Sequence, residues 1–117
     1  GGFVSNVPIQ VAMEMGADEI FALDLNDPTP IETTNALNKY IDAVTRTVCG
    51  RITDLEIAVA ELKGVHVHHI VLTSAGLPSW DFSNTTALIG WGYAQMQRKL
   101  TEWAAENPEL AGKIKTE

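Results

Sequence analysis

Basic residues are scarce: 8 Lys and Arg stand against 15 Asp and Glu, a net charge of −7. A chain so acidic lacks the positive footprint that neutralises phosphates, which excludes a nucleic-acid binder. It equally disfavours a stable anchor on anionic lipid, though not brief contact with a lipid surface. Cysteine is nearly absent. Cys49 alone can close no intramolecular disulfide and gives no metal-ligand spacing. Long apolar runs are missing too. The longest stretch without charged or strongly polar residues, Ala87 to Ala94, is eight residues, whereas a membrane-spanning helix needs roughly 20. No basic segment followed by an apolar run opens the chain, so no secretory signal is read there. These absences favour a cytoplasmic or peripheral-membrane location.

What is present is ordinary globular material, 45% hydrophobic and 20% charged in 117 residues. That length suits one domain with a modest core. The opening Gly1-Gly2-Phe3-Val4 reads as structured, apolar sequence with no polar lead-in, so the chain is expected to be a fragment or a processed product.

Periodicity lays out an alternating order. Val7 to Met15 reads as a short helix, capped by Asn6, with Pro8 in the first turn and Gly16 as its stop. Glu19 to Leu25 reads as a strand, and its apolar centre suggests burial on both faces. Asn26 to Pro30 is loop-like. Leu37, Ile41, Val44, Val48, Ile52, Leu55, Val59 and Leu62 then recur at helical spacing and are expected to form the core face of a helix from about Thr34 to Lys63. At 1.5 Å per residue it would run roughly 45 Å, nearly twice the roughly 23 Å of a seven-residue strand. A bend at Gly50 is therefore expected. Gly64 ends this helix, and Val65 to Thr73 reads as a second strand, again buried on both faces. A turn follows over Ser74 to Ser79. Ser83 and Asn84 offer caps for a last helix, Thr85 to Glu106, with Leu88, Gly92, Met96, Leu100 and Trp103 on its face. Asn107-Pro108 breaks it, leaving residues 109–117 as a short tail.

Helix, strand, helix, strand, helix implies an α/β fold with parallel strands joined by a crossover helix. Two strands make a poor sheet on their own. A missing N-terminal part, or self-association through the open sheet edge, is expected to cover it.

Candidate chemistry is thin. His66 and His68 share one face of the second strand and His69 takes the other, but no carboxylate or cysteine stands nearby in sequence to complete a metal site. The simpler reading is polar residues at a strand edge, with no metal. None of Ser5, Ser74, Ser79 and Ser83 sits in a Gly-x-Ser-x-Gly elbow. Gly90-Trp91-Gly92 lies inside a helix rather than at a strand-to-helix turn, so it cradles no phosphate. Asp18, Glu19, Asp24 and Asp27 read as solvated ends of the first strand. Cys49 reads as a buried spacer rather than a reactive thiol.

One block is more specific. Gly1-Gly2, Asn6-Val7-Pro8, Ala12 and Gly16-Ala17-Asp18-Glu19-Ile20-Phe21-Ala22-Leu23-Asp24-Leu25 resemble the C-terminal catalytic block of patatin-like phospholipases. In that family an Asp-Gly-Gly turn, an Asn-x-Pro, a short helix, Gly-Ala-Asp and a strand follow one another. The resemblance implies the C-terminal part of a three-layer α/β/α fold and a lipid acyl hydrolase with a Ser-Asp dyad and no cofactor. Gly1 and Gly2 match the glycines of the turn, and Asn6 and Pro8 the start of the helix. The dyad aspartate would immediately precede Gly1, with the nucleophile and oxyanion loop further upstream. No catalytic side chain carries over, so the lipid or ester substrate would be met only by a complete domain and this chain alone is expected to be inactive. Trp80, Phe82, Trp91 and Met96 are candidates to line part of an acyl channel in the assembled enzyme, against the simpler reading that they are core residues. The competing reading is a non-catalytic α/β scaffold or interaction module.

Overall fold

A computed structural model describes residues 4–26, 33–74 and 82–113. The chain divides into two compact units, residues 1–81 and 82–117, where length alone suggested one domain.

In the first unit, helix α1 (Ile9–Glu14) leads to strand β1 (Glu19–Asp24), and helix α2 (Ala36–Leu62) to strand β2 (His66–Val71). The two helices stop in the same way. Gly16 and Gly64 adopt positive φ, +91° and +77°, a conformation that costs glycine nothing. Around each, two amides turn back onto the helix: Gly16 N–H to Met13 O and Ala17 N–H to Ala12 O, then Gly64 N–H to Glu61 O and Val65 N–H to Ala60 O. This is the Schellman arrangement, which satisfies carbonyls left over at a helix end. Each glycine thus releases the chain into a strand within a few residues.

The strands pair in parallel, with Glu19 opposite His66 and Asp24 opposite Val71. Each strand has only the other as neighbour among the described residues. The mixed helix–strand fold with a parallel crossover is therefore present, as the element order implied.

The burial expected of the strands is not. Ile20, Ala22 and Asp24 point into the core from one face of β1, while Glu19 and Leu23 on the other are exposed. Only Ile70 is buried in β2. The core consists of Val7, Ile9, Ile20, Ala22 and Ala60, with Ala12, Met13, Ala17, Ile57, Val65 and Val67 packed against it. So α1 and the C-terminal half of α2 cover the face bearing Ile20 and Ala22, while Ile70, opposite Leu23, is buried on the other face.

The phase of α2 also differs from expectation. Its buried residues are Cys49, Thr53 and Ala60, each one position beyond Val48, Ile52 and Val59 of the anticipated stripe. One residue is about 100° of helix rotation. The anticipated core face is instead largely exposed, Leu37, Ile41, Val44, Val48, Leu55, Val59 and Leu62 among it, with Leu62 at 89%. Two neighbouring stripes of this helix are both apolar, so periodicity finds an apolar side without fixing its centre. Small Ala60, fully buried, lets the helix sit close to its neighbours, which the bulkier stripe would prevent.

Further corrections are local. The N-cap of α1 is Pro8, and no side chain caps it; Asn6 is engaged elsewhere. Asn35 caps α2 by accepting from Leu37 N and Asn38 N at 2.9 and 3.2 Å. The helix passes Gly50 unbroken. A Cβ there would come within 3.1 Å of Asn26 Nδ2, so this glycine makes room for that side chain.

The second unit holds a 3₁₀ turn, Phe82–Asn84, helix α3 (Thr85–Glu106) and a single-turn helix α4 (Pro108–Ala111). Asn84 occupies the cap position of α3 without a side-chain cap bond. Leu88, Gly92, Met96 and Trp103 are half-buried as expected of one face, while Leu100 is exposed. No helix among the described residues is long and apolar enough to cross a membrane.

Candidate functional site

Parallel pairing turns residues distant in sequence into neighbours at both ends of the two strands. At the carboxyl end lies Asp24, 2% exposed. Its Oδ1 accepts from Asn6 Nδ2 at 3.1 Å and from the Asn26 backbone N–H at 2.8 Å. Its Oδ2 lies 3.0 Å from His69 Nε2, which donates when protonated at that nitrogen. Burying a carboxylate is costly unless donors replace its water, and three donors do so here. The links extend further, because Asn26 Nδ2 donates to Arg46 O at 3.0 Å in the middle of α2, beside Gly50. One carboxylate therefore joins the segment before α1, the end of β1, β2 and, through Asn26, the long helix.

Asp24 was expected at a solvated strand end, with Asp18, Glu19 and Asp27. Asp18 and Glu19 are indeed exposed, and Asp27 lies outside the described residues. Asp24 differs because strand alternation puts it on the same face as Ile20 and Ala22, and that face is the covered one. The alternation was legible in the sequence; which face would be covered was not.

At the amino end of the strands, Glu19 lies opposite His66. Its Oε2 is 2.8 Å from Nε2 of His68, two residues along. The His68 ring stacks on Phe21 at a centroid distance of 4.7 Å and meets the His66 ring edge-on at 4.5 Å. As strand alternation implied, His66 and His68 share this face and His69 points to the other, where it reaches Asp24. The carboxylate missing from the local sequence around the histidines is supplied across the sheet.

The chain matches no family model, no curated protein and no solved structure.

The remaining anticipated residues fare differently. Gly1 and Gly2 lie outside the described residues, as do Trp80 and most of the turn expected over Ser74 to Ser79. Pro8 precedes α1 and is exposed. Phe82 and Trp91 are exposed, and Met96 is half-buried. Trp91 and Met96 are five positions apart on α3, about 140° around the helix, so they face different sides. Cys49 is buried, as expected.

Proposed function

We propose that this chain is the C-terminal segment of a patatin-like serine lipid acyl hydrolase, folded as part of a three-layer α/β/α domain. The dyad aspartate stands immediately before Gly1, and the nucleophilic serine and oxyanion loop further upstream. The observation that carries this reading is the bond from Asn6 to Asp24. Asn6 is the asparagine of the motif's Asn-x-Pro, and Asp24 closes the strand that ends the motif. That bond pins Asn6, a few residues after Gly1-Gly2 in sequence, to the carboxyl end of a parallel strand. In open α/β sheets, ligands bind beyond this end of the strands. A serine hydroxyl needs a base within hydrogen-bond reach to become a nucleophile, and on this reading the Asn6–Asp24 bond anchors the described segment downstream of that base.

Two further observations support the reading. A sheet in which the described residues pair only two parallel strands suits a segment of a larger sheet. The exposed apolar stripe of α2 is of the kind that marks a surface meant to be covered. Of the anticipated channel residues, Phe82 and Trp91 are exposed and available to an acyl chain in the complete domain, while Met96 faces another side of α3.

The test is the intact mass of the natural protein, with fluorophosphonate labelling and a short-chain ester assay. A mass well above 12.7 kDa, ester hydrolysis, and label on a serine upstream of Gly1 are expected. The 117-residue chain alone should neither label nor hydrolyse. A natural protein lacking an aspartate before Gly1, or one that takes no label, overturns the proposal in favour of a non-catalytic scaffold.

A further inference from the structure

We propose that Glu19, His66 and His68 form a binding site for one divalent transition-metal ion, with Zn²⁺ the ion best suited to the donors. The proposal is independent of the hydrolase reading. The three ligand atoms, one carboxylate oxygen and two imidazole nitrogens, lie within 4.8 Å of one another. A tetrahedral Zn²⁺ with bonds of about 2.0 Å holds its donors roughly 3.3 Å apart. Glu19 Oε2 and His68 Nε2, at 2.8 Å, already lie within that spacing. The His66 ligand nitrogen lies within 4.8 Å of both.

The backbone makes the arrangement a consequence of the fold. His66 and His68 project from one face of β2 because they are two residues apart, and the register sets Glu19 directly opposite His66. That register begins where the Gly16 and Gly64 turns release the chain, at the bond from His66 N–H to Asp18 O. The His68 ring is held between Phe21 and His66, which limits the freedom lost on coordination. Two imidazoles and one carboxylate leave a fourth position for water, the ligand composition of open zinc sites. Mixed nitrogen and oxygen donors of this kind favour zinc and its transition-metal neighbours over Mg²⁺ or Ca²⁺.

The experiment titrates the metal-free 117-residue chain with Zn²⁺ by calorimetry, and with Co²⁺ while visible absorption reports coordination. One ion per chain is expected, with a cobalt spectrum of low coordination number and a melting midpoint that rises with free Zn²⁺. H66N, H68N and E19Q should each weaken Zn²⁺ at least about tenfold, since even outer-shell partners can be worth that much. H69N, on the opposite face, should leave the affinity unchanged. Far-UV circular dichroism shows that each variant remains folded, and E19Q, at an exposed position, retains its shape whatever befalls the histidine variants. Absence of stoichiometric Zn²⁺ binding overturns the proposal. So does binding that survives H66N and E19Q, or that is lost with H69N.

Discussion

Replacing Asp24 tests whether one buried carboxylate organises the first unit. In Asp24→Ala, the Asn6 amide, the Asn26 backbone N–H and His69 Nε2 all lose their acceptor. A hydrogen bond to a charged group contributes about 1.5–3 kcal/mol. The simple sum over three overstates the loss, because His69 and Asn6 reach water on their outer sides and are partly compensated. Removing one member of a buried charged network typically costs about 3–5 kcal/mol, and that is the magnitude expected here. For a folding unit of this size, each kcal/mol lowers the melting midpoint by about 4–8 °C, so a fall of at least roughly 12 °C should follow. Asp24→Asn separates shape from charge. Its amide oxygen still accepts from Asn6 and Asn26, and its NH₂ can face an unprotonated His69 nitrogen, so a loss of about 1–2 kcal/mol is expected. Urea unfolding followed by circular dichroism measures both. An Asp24→Ala variant within about 0.5 kcal/mol of the parent, the range of an inconsequential surface change, would refute the reasoning.

Ala60 offers a second check on the observed phase of α2. Ala60→Leu forces a large side chain where the helix meets the core, and should destabilise by about 1–3 kcal/mol in the same urea assay. Substitution on the anticipated stripe should do the opposite of what a core face would show: Leu55→Lys with Leu62→Lys, both exposed, should change stability by less than about 0.5 kcal/mol each.

The order of elements was legible because helices and strands differ in period, and the stops were legible because Gly16 and Gly64 follow the last periodic residues. The faces were less so. In α2, Val48-Cys49, Ile52-Thr53 and Val59-Ala60 are adjacent apolar or small pairs, and either member of each pair fits a helical stripe. Only tertiary packing selects the smaller set, because Ala60 and Thr53 permit a closer approach. The same limit applied to the strands, where Leu23 and Ala22 both read as core but the two helices cover only the side bearing Ala22. Asp24 was misread for this reason: a charge after an apolar run signals a strand end, and nothing local says that its own alternation turns it inward.

The amino end of the sheet shows a different limit. His66, His68 and Glu19 are visible one by one, yet the sequence separation of 47 residues between Glu19 and His66 hides their meeting. Spacing rules for metal ligands work within one helix, strand or loop, where the backbone fixes the geometry over a few residues. Across a parallel sheet the geometry is fixed by register, and register depends on where each strand begins. Here the starts are set by two glycine turns, three residues before Glu19 and two before His66. Shifting β2 by one residue would carry His66 and His68 to the other face, away from Glu19, and turn His69 away from the face of Asp24. Both polar clusters thus depend on a single register, and any substitution that slips it should disrupt the two together.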